Sequence, residues 1–382
     1  MRRNPIVELS SLGQSVWLDF LQRGTIRSGQ LARWIDDDGV RGVTTNPTIF
    51  EHAILGAESH DYDDAIHVLA SRGSTAAEIY EALTVRDVQL AADAFRPTYE
   101  ALDGRDGFVS LEVSPRLAHD TDGTVAQGSH LWQLVDRPNV MIKVPATPAG
   151  LGAITRLLAR GINVNVTLLF GLTRYEQVVG AFVAGLEARR DEGGTLERLA
   201  SVASFFLSRI DTLVDAQVDT LVDAQVDASR SQQLRARRGG TAVALAKLAY
   251  QRYHHAIACE RFAALARAGA RPQRLLWAST SAKDPSFSDV KYVEALIGPD
   301  TVTTLPRATL DAWRDHGAAA PTLERGVAEA RRVVQELHAG GVDLMAASQR
   351  LEGDGVAAFE RSYDKLLHGL EERRLAVPRR AS

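Results

Sequence analysis

Five lysines are scattered through a chain that otherwise carries its positive charge on arginine: Lys143, Lys247, Lys283, Lys291 and Lys365, out of 44 basic residues. Where any cation would serve, this sequence uses a guanidinium. An amine can do what a guanidinium near neutral pH cannot: lose its proton and attack a carbonyl. Lys143 has the least favourable setting for a solvated cation. It lies in Val140-Met-Ile-Lys-Val-Pro145, an apolar run with the character of a buried strand end. The bland alternative is a lysine whose stem is buried while its ammonium reaches water or a carboxylate. Burial disfavours the charged form of an amine, so the same setting also suits a nucleophile.

Polar residues recur at the C-terminal ends of other strand-like runs. Asp19 ends VWLD, Thr44, Thr45 and Asn46 end GVTTN, and Glu112 ends FVSLE. Asn163, Asn165 and Thr167 alternate along INVNVTLL and so share one face, while Ser204 ends SVAS and Ser279 ends LLWAS. A buried polar group left unpaired costs roughly 1–3 kcal/mol. A hydrogen-bond network or helix caps would explain any one of these residues. The set converging on one lysine reads as an active site.

The elements that must position them are regular. Strand candidates run over Val16–Phe20, Gly42–Thr45, Phe108–Val113, Val140–Val144, Ile162–Leu168, Val202–Phe206, Leu275–Ala278 and Thr301–Leu305. Between them lie amphipathic helical stretches, the clearest at Thr75–Tyr99, Pro148–Arg160, Thr241–Ala268, Thr322–Leu337 and Asp343–Glu371. Strands alternating with helices predict a parallel sheet under helices, and eight such units predict an α/β fold of the closed (β/α)8 TIM-barrel type. We expect one barrel domain over 1–382, with extra helices at the C-terminus from about residue 320 and a frayed tail over 373–382. In such a barrel the C-terminal strand ends form the active face.

Composition narrows the function classes. A net charge of −4 does not suggest a nucleic-acid or membrane-surface partner, and no apolar run has the length of a membrane span. The start, MRRNPIVELSS, lacks the apolar core of a secretory signal, so the expectation is a cytoplasmic protein. A single cysteine, Cys259, excludes an intramolecular disulfide and a cysteine-based zinc site. Gly150-Leu-Gly152 imitates a dinucleotide loop but lacks the third glycine and the later acid. The sequon at Asn165 lies in a core strand, and His254 and His255 diverge on a helix. The acidic runs Asp36–Asp38 and Asp61–Asp64 read as solvated. No metal or cofactor site is expected. DTLVDAQV occurs twice, at 211–218 and 219–226, and reads as a local duplication lengthening an exposed helix.

With these residues laid out, the chain resembles the transaldolase family. The motifs are GVTTNPTIF at 42–50, VMIKVPATPAGLGAI at 140–154, INVNVTLLF at 162–170, SVASFFLSRID at 201–211 and LLWASTSAKDP at 275–285, in the family's order. The resemblance implies a cofactor-independent enzyme of the pentose phosphate pathway. It would move a dihydroxyacetone unit from sedoheptulose 7-phosphate or fructose 6-phosphate to an aldose phosphate. By matching motif, Lys143 would be the Schiff-base nucleophile and Asp19 the group that takes a hydroxyl proton during C–C cleavage. Glu112 would act as acid/base through a water that Thr167 helps to hold. Asn46, Asn165 and Ser204 would hold the dihydroxyacetone moiety, and Arg209 and Ser279 the phosphate. Many members place an arginine where Ser281 stands; Lys283, in the same loop, is the candidate replacement. The expected partners are sugar phosphates, with a homo-oligomer left open. The nearest rival is an aldolase of the same superfamily that releases free dihydroxyacetone. Phe206 stands where such aldolases tend to carry a tyrosine. A non-catalytic sugar-phosphate-binding barrel is the alternative from another class, and it would predict a damaged constellation.

Overall fold

A computed structural model describes residues 4–57, 59–223 and 228–377. Eight strands close into a barrel in chain order: β1 Gln14–Leu18, β2 Gly42–Val43, β3 Phe108–Glu112, β4 Val140–Pro145, β5 Val164–Leu169, β6 Ser201–Phe206, β7 Arg274–Ala278 and β8 Thr301–Leu305. All neighbours are parallel, and β8 closes on β1 from Gln14↔Thr301 to Leu18↔Leu305. All eight strand runs expected from the sequence form, with small shifts at their ends. Asp19, Thr44 and Thr45 fall just past β1 and β2, in the loops that carry function in this architecture.

Alternation along β4 shows how the fold presents the lysine. Lys143 points into the barrel, so Ile142 and Val144 point outward and are fully buried beneath the flanking helices. The chain then turns at once into helix Pro148–Ala159, capped by Thr147, whose hydroxyl accepts from Gly150 N at 3.0 Å. A Cβ at Gly150 would stand 2.0 Å from Pro145 O. That glycine serves a tight strand-to-helix turn, which accounts for the imitation of a dinucleotide loop.

The structure departs from the sequence reading in several places. The helical stretch 241–268 is two helices, Thr241–Ala258 and Glu260–Arg267, because Cys259 takes an extended conformation. The stretch expected from Thr322 becomes helical only at Val327, since Thr322 is occupied in bridging Glu294 O and Ile297 N. The last helix runs Leu344–Leu375, past the point where fraying was expected, with Arg373 bonded to Ile54 O and Asp63; residues 378–382 lie outside the described residues. Asp38 is buried and paired with Arg314 rather than solvated. Nor is the first octad merely exposed. Asp211 is buried and accepts from Ala242 N at 2.7 Å and the Tyr292 hydroxyl at 2.8 Å, and Asp215 accepts from Gly239 N. Residues 224–226 of the second copy lie outside the described residues.

At the N-terminal end of the barrel one network is saturated. Asp106, 2% exposed, accepts from Ser15 Oγ, from Trp17 Nε1 at 2.8 Å and from Gly107 N at 3.3 Å, with Arg274 at 3.4 Å. The C-terminal helix crosses the opposite end and packs on helix Pro47–Leu55, on helix Ala76–Ala101 and against β5.

Candidate active site

Lys143 is 3% exposed. Its Nζ donates to Thr45 O at 2.9 Å, lies 3.4 Å from Glu112 Oε2 and faces the Phe359 ring at 5.9 Å. Strand register explains the grouping: Glu112 on β3 and Asn165 on β5 are the direct neighbours of Lys143 on β4. The other four lysines do different work. Lys247 donates to Thr322 O and Arg325 O, Lys291 pairs with Asp211, Lys365 pairs with Glu51, and Lys283 donates to Ser281 Oγ at 2.7 Å.

Burial pushes the Glu112 carboxyl up to about 7, against the opposing pull of Lys143. Its Oε2 and the Thr167 hydroxyl are both buried and neither has a hydrogen-bond partner in the protein. Two orphaned polar atoms on the strands either side of β4 are unusual, since buried polar groups are nearly always satisfied. The backbone beside Thr167 is also irregular. The β5–β6 register shifts between Val166 and Leu169, and Leu168 has φ 57°. A bulge with a non-glycine residue in the left-handed region re-aims strand ends and costs about 1–3 kcal/mol. Ser279, at the end of β7, is also left-handed, with φ 55°.

The remaining polar strand ends form two groups. Asn165 Nδ2 donates to Ser110 Oγ at 2.9 Å and Ser204 Oγ donates to Asn165 Oδ1 at 2.7 Å, a chain that fixes the orientation of the Asn165 amide. Asn46 caps helix Pro47–Leu55 by accepting from Ile49 N at 2.9 Å, so it combines the helix-cap role with a place at the site. Thr44 Oγ1 donates to Asp19 Oδ1 at 3.0 Å. Of the ten residues singled out in the sequence, Asp19, Asn46, Lys143, Thr167, Ser204, Arg209, Ser279 and Lys283 line one cavity of about 260 Å³ at the C-terminal end of the barrel. Glu112 and Asn165 stand behind that wall, on either side of Lys143.

The mouth is cationic. The Arg209 guanidinium sits over Phe206 at 5.4 Å and Phe359 at 6.0 Å, and burial pushes its pKa down, partly offset by the more distant Asp19 and Glu112. Ser279 bonds Ser208 at 2.8 Å beside it, and the exposed Lys283 completes that wall. A half-buried guanidinium held by rings is suited to an anion arriving from solution.

A model of the family described as Transaldolase/Fructose-6-phosphate aldolase matches residues 16–370. The chain belongs to this transaldolase/fructose-6-phosphate aldolase family. Among curated relatives, it is 49% identical over 365 residues to a transaldolase of Saccharopolyspora erythraea, covering 95% of this chain and 96% of that one. It is 49% identical over 360 residues to a transaldolase of Thiobacillus denitrificans, covering 94% and 98%. It is 44% identical over 374 residues to transaldolase 2 of a Nostoc strain, covering 97% and 98%.

Some residues at the site of this family member were not singled out in its sequence. Phe359 comes from the C-terminal helix, and His52 and Ile49 from helix Pro47–Leu55. Ser110 orients Asn165, and the acceptor nearest Lys143 is a main-chain carbonyl. An aromatic residue in a helix signals packing first, so nothing local marks Phe359. Ser110 was legible as the inward-facing residue two before Glu112 on β3. Among the described residues, no three His, Cys, Asp or Glu side chains converge to hold a metal, and no helix is long and apolar enough to cross a membrane.

Proposed function

We propose that this chain is a transaldolase that moves a dihydroxyacetone unit from a ketose phosphate to an aldose phosphate through an imine on Lys143. The donors would be sedoheptulose 7-phosphate and fructose 6-phosphate, which makes it a cytoplasmic enzyme of the non-oxidative pentose phosphate pathway. The observation that carries the reading is a buried amine 3.4 Å from a carboxyl whose pKa burial lifts to about 7, on the wall of a cavity with an arginine at its mouth.

The chemistry follows from that arrangement. The donor phosphate rests against Arg209, Ser279 and Lys283, which sets the ketone towards Lys143. Nζ attacks the ketone carbon, and the ketone oxygen leaves as water. Glu112 takes and returns the protons, a role suited to a carboxyl that titrates near neutrality. Thr167 helps to hold the water through which it acts. Asp19 takes the hydroxyl proton as the C–C bond breaks. The aldose departs, and the bonding electrons pass into the imine to give an enamine. Asn46, Asn165 and Ser204 hold the three-carbon hydroxyls while the enamine waits. An incoming aldehyde then forms the new bond, and water frees the product.

The second reading is an aldolase that protonates the enamine and releases dihydroxyacetone. Phe206 disfavours it, because the ring beneath Arg209 has no hydroxyl to deliver that proton. Incubation with fructose 6-phosphate, with and without erythrose 4-phosphate, separates the two. A transaldolase gives sedoheptulose 7-phosphate only with the acceptor and little free dihydroxyacetone. Dihydroxyacetone accumulating without acceptor would make it an aldolase, and neither product would overturn both readings.

A further inference from the structure

A second cavity, of about 160 Å³, opens on the flank of the barrel between helices Ala76–Ala101 and Thr121–Val135 and the C-terminal helix. Ala77, Glu78 and Glu81 lie towards solvent at its rim, Tyr80 and Tyr363 line its sides, and Glu112 lies at its inner end. Glu112 lines this cavity and not the substrate cavity, whereas Lys143 lines the substrate cavity and not this one. The Lys143–Glu112 pair, 3.4 Å apart, therefore separates the two spaces.

The physical character of this space suits water rather than sugar. At about 30 Å³ per molecule it holds several waters. Its inner end is lined by Glu112, whose carboxyl group also lies 3.4 Å from Lys143 Nζ. Its rim carries two carboxylates, Glu78 and Glu81, which repel a sugar phosphate but not water or a proton. Among the described residues, His130 pairs with that rim, 3.2 Å from Glu81. Tyr80 meets Tyr363 edge-on at 5.2 Å, so two packed rings narrow the inner passage.

We propose that this flank cavity is the water and proton port of the imine chemistry. It rests on the Lys143 reading above. A ketose phosphate anchored at Arg209 obstructs the substrate mouth at the moment when the reaction must release a water. In imine formation the ketone oxygen leaves as water, taking two protons, and a C=N bond replaces C=O. In hydrolysis a water supplies the new ketone oxygen. Nothing is oxidised or reduced. Both waters cross at Glu112, on the side away from the sugar.

The test is oxygen exchange. With fructose 6-phosphate in H₂¹⁸O and no acceptor, each cycle of imine formation and hydrolysis places ¹⁸O at the ketone carbon. Ala77→Trp puts a large ring at the rim, on an exposed first turn of a capped helix. Enzymic exchange should fall at least about fivefold, while KM for fructose 6-phosphate and the equilibrium yield of borohydride-trapped adduct stay as in the wild type. Ala77→Leu should show a smaller loss with an excellent helix former in place, and Ala77→Ser none. Wild-type exchange in Ala77→Trp overturns the port, as does an equal loss in Ala77→Ser, which would assign the effect to the helix. Absence of any adduct in the wild type would instead remove the Lys143 reading on which the port rests.

Discussion

The two ends of this barrel each bury a carboxylate against a cation, with opposite outcomes. At the N-terminal end Asp106 accepts from a hydroxyl, an indole and a main-chain amide, with Arg274 alongside. At the C-terminal end Glu112 stands 3.4 Å from Lys143, and its Oε2 accepts no hydrogen bond. A saturated buried acid ties strands together. An under-satisfied one has its pKa raised, and burial carries Glu112 to about 7. The same residue chemistry serves as structure where every lone pair is used; where lone pairs are left over, it suits the proton-transfer role proposed for Glu112.

The largest effect expected from testing this contrast is at Lys143. Lys143→Arg keeps the charge but removes the nucleophile, and turnover should fall by about 10⁴ or more, some 5 kcal/mol of barrier, with the thermal midpoint little changed. Activity within tenfold of the wild type would place the chemistry elsewhere. Next come the two acids, which should separate cleanly. Glu112→Gln should lower kcat by about 10²–10⁴ through loss of acid–base catalysis. Asp106→Ala should instead cost about 2–4 kcal/mol of stability and leave kcat per folded molecule unchanged, because it breaks a buried charged network remote from the substrate cavity. Denaturant unfolding and turnover on the same samples check both, and a catalytic defect in Asp106→Ala would blur the distinction.

The pH dependence sharpens the contrast further. If Glu112 accepts a proton, kcat/KM should fall below about pH 7 on a limb that Glu112→Gln abolishes. The stability sign is fixed too. Folding raises the Glu112 pKa, so its contribution is full below its ordinary value of 4.5 and is lost as pH rises through about 7. Relative to Glu112→Gln, the wild type should lose stability across that window, and a flat difference would mean that Glu112 is not raised.

The phosphate groups give the smallest effects. Arg209→Ala should raise KM for phosphorylated sugars by about 2–3 kcal/mol equivalent, with little change for unphosphorylated fructose. Lys283→Ala should show the same selectivity at about 1 kcal/mol or less, since its ammonium is exposed. Equal effects on both sugars in both variants would reverse the substrate orientation.

Much of this contrast was legible in the sequence. The barrel follows from eight apolar runs, and the C-terminal face from what closes them: Asp19 lies just beyond a strand end, Glu112 at one, and Lys143 and Thr167 two residues before one, each a polar residue in an otherwise apolar run. The lysine stood out because arginine fills nearly every other basic position. What stayed hidden depends on contacts made at a distance along the chain. Phe359 reaches the lysine from a helix more than 200 residues later, a placement fixed by packing on β5 rather than by local pattern. Asp211 and Asp38 look like surface acids because their partners, Tyr292 and Arg314, are remote in sequence. The break at Cys259 follows one residue's backbone conformation, which no periodicity records.

The central claim is that Lys143 forms an imine with a ketose phosphate. Borohydride reduction in the presence of fructose 6-phosphate, followed by peptide mass mapping, tests it most directly. We expect one stable three-carbon adduct, on Lys143, absent from Lys143→Arg. An adduct mapping to Lys247, Lys283, Lys291 or Lys365, or no adduct at all from an enzyme that turns over, would contradict it.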